Sequence, residues 1–186
     1  MTVHSAPAVD PPQHLHDTDA HHGSDAEIAQ QVREHHAAMV ADLDRLTTAL
    51  RDAPASDQAA ARASLGEWLE AVLVPHADEE EVTTYRAAST LAGGRLLIEA
   101  MVREHELIKR LVALFRSSEG AAAAAYGRAV FEAFDSHQGK ENDLILPLLL
   151  AAPQVSLTTV MGAHAHQVGE QADHHHEHHH HEHHHH

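Results

Sequence analysis

The chain contains no cysteine, which excludes disulfides, thiolate zinc sites and thiol redox chemistry. Positive charge is also scarce. Lys and Arg number 12 against 28 Asp and Glu, a formal charge of -16 with histidine neutral. A polyphosphate or an anionic membrane surface repels such a chain, so neither nucleic acid nor membrane is expected as a partner. No run is long and apolar enough to span a bilayer, and the N-terminal Met1 to Pro7 lacks the basic and apolar regions of a signal peptide. A cytoplasmic location is the expectation. No segment carries the alternating pattern of a strand.

What the chain has in excess is histidine, 23 in all, of which 11 fall in the final 13 residues. Residues 1–23 mix Pro7, Pro11 and Pro12 with five histidines and have no hydrophobic period, which predicts a disordered Pro/His-rich tail. Residues 173–186 form a second, His-rich disordered tail of low complexity. Between them, residues 24–172 are expected to fold as one domain.

Four long amphipathic runs fill that domain. The first follows a capping box at Ser24 to Glu27 and carries a seam at 32, 36, 39, 43, 46 and 50. This puts His36 on the buried face and His35, about 100° away, in solvent. A second run, capped by Ser56, has its seam at 65, 69, 72, 76 and 80, with Pro75 expected to kink the helix just before His76. After the break at Gly93-Gly94 comes a third, with Ile98, Met101, His105, Ile108, Val112 and Phe115 in register. The fourth, capped by Ser118, runs through 130, 134, 137, 141, 144 and 148 toward Pro147. Ser156 caps a shorter fifth helix reaching about Gln171. The fold class is all-α: an up-down-up-down four-helix bundle with a short C-terminal fifth helix.

Each seam contains one histidine: His36, His76, His105 and His137. Two of them carry a glutamate at i+4, Glu80 and Glu141, on the same helix face. A carboxylate in a core position is costly unless its charge is compensated, and a metal ion compensates while also accepting imidazole. A single such pair is more often a capped, solvated or simply hydrogen-bonded pair than a ligand pair. Four histidines at matching depth on consecutive helices point to one metal-binding layer. Imidazole and carboxylate without sulfur suit iron, manganese or zinc, and six ligands exceed one tetrahedral zinc. Two octahedral ions joined by two carboxylates and a bridging oxo or hydroxo group leave open positions for dioxygen, peroxide or nitric oxide, so a site of two iron ions is inferred.

These residues resemble the hemerythrin-like proteins with the HHE cation-binding domain. The resemblance covers about residues 26–150 and rests on His36, His76 with Glu80, Glu81 and Tyr85 behind it, His105, and His137 with Glu141 and Pro147. It implies a non-haem diiron centre in a four-helix bundle. The chain departs from the oxygen-carrying members at Lys109, where they have a further histidine, and at Asn142, where they have an aspartate. Glu141 then supplies the bridging carboxylate. One fewer histidine leaves the two irons differently exposed, which favours sensing, peroxide turnover or nitric oxide handling over reversible oxygen carriage.

Three features keep two readings each. Glu81 is either a solvated residue or a group backing a ligand, and Lys109 either faces solvent or holds a proton or anion at the site. The tail either binds zinc, nickel, copper or iron through many weak contacts, for storage or delivery, or is simply solvated.

Overall fold

The computed structural model describes residues 16–161, with side chains from Ser24 onward. Most of the expected fifth helix, with His164 and His166, the expected domain boundary at 172, most of the N-terminal tail and all of the His-rich tail lie outside the described residues. Among those described there is no strand, and no helix is long and apolar enough to cross a membrane.

Helix α1 spans His16–Asp52, α2 Gln58–Trp68, α3 Val74–Val82, α4 Thr84–Ser89, α5 Gly94–Arg116, α6 Gly120–Lys140 and α7 Leu146–Leu150. Helix α1 starts eight residues before the expected cap, so residues 16–23 are helical and not disordered as the sequence predicts. No proline opposes a helix between Pro12 and Ser24. Ser24, now inside the helix, pairs its Oγ with Thr158 Oγ1 at 3.1 Å, while Asp25 accepts from the Thr158 amide at 3.0 Å and from the Ser156 and Thr158 hydroxyls. Ser156 does precede a helical turn at 157–161, its Oγ accepting from the Thr159 amide at 3.4 Å. The other two serine caps are not formed. Asp57 and Glu119 occupy the cap positions of α2 and α6.

The second and fourth runs are each interrupted by a wide π-helical turn, Leu69–Leu73 and Glu141–Ile145. The Val74 amide reaches back five residues to Leu69 O, and the Leu146 amide five residues to Glu141 O. Pro75 and Pro147 stand just after these turns. A proline clashes with the carbonyl four residues back and leaves it without a donor, and the wide turn displaces those carbonyls. Each turn inserts one residue into the helical register. In the second run the buried positions become Leu65, Leu69, Leu73, Ala77 and Glu80, which leaves His76 half-buried. In the fourth, Leu144 is 50% exposed and the core is taken up by Ile145, Leu146 and Leu149. The simple 4-3-4 series therefore fails beyond Glu141. Helix α4 follows α3 directly. At its end Gly93 adopts φ 81°, and a Cβ on Gly94 would lie 1.9 Å from Ala88 O, so this turn requires both glycines.

The apolar core divides into two clusters. One contains Met39, Leu43, Leu73, Ile108, Phe115 and Phe134; the other contains Ala29, Tyr85, Met101, Ile145 and Leu149. Helices α1 and α5 pass from the second cluster to the first, whereas α2–α4 and α6–α7 pass from the first to the second. Between the clusters every segment contributes polar residues: His36, His76 with Glu80, His105, and His137 with Glu141.

Candidate metal centre

All six side chains singled out in the sequence meet in this layer. His36, Glu80, His105, His137 and Glu141 are buried, and the His76 side chain is 15% exposed. They form two overlapping groups, His36 with His76, Glu80 and Glu141, and His105 with His137 and the same two glutamates; within each, one ligand atom per residue lies within 4.8 Å of the others. The carboxylates are therefore shared. Glu80 Oε1 is 3.3 Å from His76 Nε2 and 3.5 Å from His36 Nε2, while its Oε2 is 3.6 Å from His105 Nε2. Glu141 Oε1 is 3.2 Å from His137 Nε2, and its Oε2 is 3.9 Å from His36 Nε2.

Three of the imidazoles are fixed from behind. His36 Nδ1 donates to Asn142 Oδ1 at 3.0 Å, His105 Nδ1 to Glu81 Oε1 at 3.1 Å, and His137 Nδ1 to Glu104 Oε2 at 3.0 Å. A proton on Nδ1 leaves the Nε2 lone pair pointing into the layer. There it faces carboxylate oxygens. Lone pair against lone pair is repulsive unless a proton or a cation stands between them, and Glu80 Oε2 and Glu141 Oε2 are buried without a hydrogen-bond partner among the described residues. His36 and His76 on one side, and His105 and His137 on the other, would hold metal cations together with Glu80 and Glu141, and a cation there would satisfy these atoms. The donor set, nitrogen and oxygen without sulfur, fits such ions.

Tyr85 closes one end of the layer. Its hydroxyl donates a short hydrogen bond to Glu141 Oε1 and lies 3.0 Å from His137 Nε2 and 3.5 Å from His105 Nε2. Burial, with the charges of Glu141 and Glu80, pushes this phenol well above its ordinary pKa, so it is a donor at neutral pH. Without a cation the layer titrates unusually. Burial, reinforced by the negative charge of Glu141, raises Glu80 to about 8. Burial also acts to raise Glu141, but its hydrogen bond and ion pair with His137 prevail and lower it to about 2. Desolvation and the neighbouring His36 depress His76 to about 4. One carboxylate thus holds a proton where a cation would otherwise stand.

The reading of Glu81 is settled by geometry: it backs His105. Lys109 donates to Glu81 at 3.2 Å and to Asp78 at 2.5 Å, so it stands behind Glu81 and does not line the ligand space. His35 is exposed, as expected. Sequence reasoning missed Glu104 and Lys140, which backs it at 2.8 Å, and the part played by Asn142. Their spacing carries no signal, because each pairing joins different helices. Gln138 was also missed; it is buried, with Nε2 3.5 Å from His76 Nε2.

A cavity of about 280 Å³ opens onto one half of the layer. Its floor includes His36, His76, Glu80 and Glu141, and its walls include Ile28, Val32, Ile145, Leu146 and Met161. His105 and His137 do not line it.

A family model described as the hemerythrin HHE cation binding domain matches residues 27–149. No curated protein and no solved structure matches the chain.

Proposed function

The chain belongs to the hemerythrin HHE cation-binding family, and from that premise we propose that it is a non-haem diiron protein that binds or processes dioxygen, peroxide or nitric oxide. His36, His76, Glu80, His105, His137 and Glu141 are its ligands. The observation that carries this reading is the sharing of Glu80 and Glu141 between two histidine pairs, with one oxygen of each left without a hydrogen bond. The alternating passage of the four helical segments between the two core clusters supports the up-down-up-down arrangement expected of such a bundle.

When bound, an iron pair supplies electrons and an open coordination position for a small ligand. The protein's own contribution is to orient and to exclude. Asn142, Glu81 and Glu104 fix three imidazoles with Nε2 inward, Tyr85 holds Glu141, and the apolar walls admit a small neutral molecule to the His36–His76 side. Lys109, in place of a further histidine, leaves four imidazoles for two ions. That count supports peroxide or nitric oxide handling over reversible carriage of dioxygen.

A second reading, an iron- or oxygen-responsive sensor, is favoured by the cost of burying Glu80 and Glu141 without cations, which couples metal loss to loosening of the bundle. Metal storage or delivery through the His-rich tail rests on composition alone. Optical spectra of the iron-loaded protein with and without peroxide separate these readings. Ligand-dependent bands with turnover support the first, and unfolding on chelation without turnover supports the second. Loss of metal capacity on removal of the tail histidines supports the third.

A further inference from the structure

The two halves of the layer are backed unequally. His105 and His137 each donate through Nδ1 to a glutamate, Glu81 or Glu104, and each glutamate is pinned on its far side by a lysine, Lys109 or Lys140. A carboxylate behind an imidazole raises its basicity and strengthens it as a metal ligand, typically by 10- to 100-fold in affinity for the ion. The lysines hold these carboxylates in place. In the other half His36 donates to the neutral amide of Asn142, and His76 is half-buried on the cavity wall. The Tyr85 hydroxyl also stands in the half of His105 and His137. That half is closed, while the other opens on the cavity.

We propose that the two half-sites bind metal unequally: the His105–His137 half fills first and holds its ion, and the His36–His76 half is the exchangeable one. This rests on the two-ion reading above and adds an order to it. Under limiting metal the protein carries one ion in the closed half, and the cavity-facing half reports metal supply. Glu81 and Glu104 are positioning residues, acting through the histidines they orient.

The experiment titrates the metal-free full-length chain with zinc, which is diamagnetic and redox-inert. All eleven histidines between 174 and 186 are replaced by glutamine so that this His-rich tail does not compete for the metal. Histidine ring resonances and chelator competition are followed. The expected result is two steps, with His105 and His137 shifting at the first equivalent and His36 and His76 at the second. Glu81→Gln and Glu104→Gln each weaken the first step about 10- to 100-fold, and Glu104→Asp recovers part of that loss. Asn142→Asp, which gives His36 a carboxylate in place of the amide, strengthens the second step about tenfold and narrows the separation. Two zinc ions binding in one step with all four histidines moving together, or His36 and His76 shifting first, overturns the order while leaving the two-ion reading intact. A capacity below two ions overturns both.

Discussion

Glu80 and Glu141 approach the same imidazole from different helices: Glu80 Oε1 lies 3.5 Å and Glu141 Oε2 3.9 Å from His36 Nε2. Each reaches the opposite histidine pair with its other oxygen. Two buried carboxylates side by side repel each other and lose hydration, so their juxtaposition is stable only with a cation or a proton between them. The metal-free protein uses a proton on Glu80, and the loaded protein has no need of it.

That difference separates the two glutamates on mutation. Glu80→Gln removes a group already protonated in the metal-free state, so metal-free stability at pH 6 should change by less than about 1 kcal/mol. Metal capacity should nonetheless fall below two ions per chain. Denaturant melts of the stripped protein alongside elemental analysis of the loaded one check both halves of this prediction. Glu141→Ala should lose metal and also destabilise the stripped protein, because it removes the partner of His137 and Tyr85.

Stability of the stripped protein should fall with pH where that of the loaded protein does not. The Glu80 pKa is raised on folding, so its contribution is full below the unfolded carboxylate value and is lost as pH rises through about 8. His76 is depressed to about 4, so its contribution is present above the unfolded imidazole value and is lost as pH falls toward 4. Between pH 4.5 and 6.5 the two oppose each other. From pH 6.5 to 8 Glu80 acts alone, and the stripped protein should lose on the order of 1–2 kcal/mol. The loaded protein should be spared this loss, because metal binding displaces the proton and leaves Glu80 ionised in both the folded and the unfolded chain. Thermal melts of both forms across this range test the difference.

Tyr85→Phe removes the donor to an ionised, buried acceptor. The stripped protein should lose about 2 kcal/mol, the range for a hydrogen bond to a charged group. A urea titration measures it. An unchanged midpoint would mean that Glu141 finds another donor.

Ligand access should depend on the cavity and not on Lys109. Val32→Trp, which fills the cavity wall, should slow binding of azide or nitric oxide to the iron-loaded protein at least tenfold while preserving iron content. Lys109→Ala leaves the cavity walls intact and should change the on-rate less than about twofold, by stopped-flow absorbance.

All six ligand candidates were legible in the sequence because a histidine or glutamate in an apolar seam is conspicuous against its neighbours. The buried face of α5 follows its series without exception from Ile98 to Phe115. The series failed at the two prolines, where a π-helical turn moves the core from Leu144 to Ile145 and from Val72 to Leu73. Periodicity assumes a constant advance per residue, and nothing in the local pattern announces a wider turn. The residues behind the histidines were illegible for a different reason. Glu104 and Asn142 lie off the seams of their own helices and acquire meaning only from a histidine more than thirty positions away.

The most direct test of the shared-carboxylate centre is iron content combined with magnetic spectroscopy on oxidised protein whose tail histidines have been replaced by glutamine. The account predicts two irons per chain, antiferromagnetically coupled and silent in electron paramagnetic resonance. One iron or fewer per chain after reconstitution, or two irons with the signals of isolated ferric ions, would contradict it.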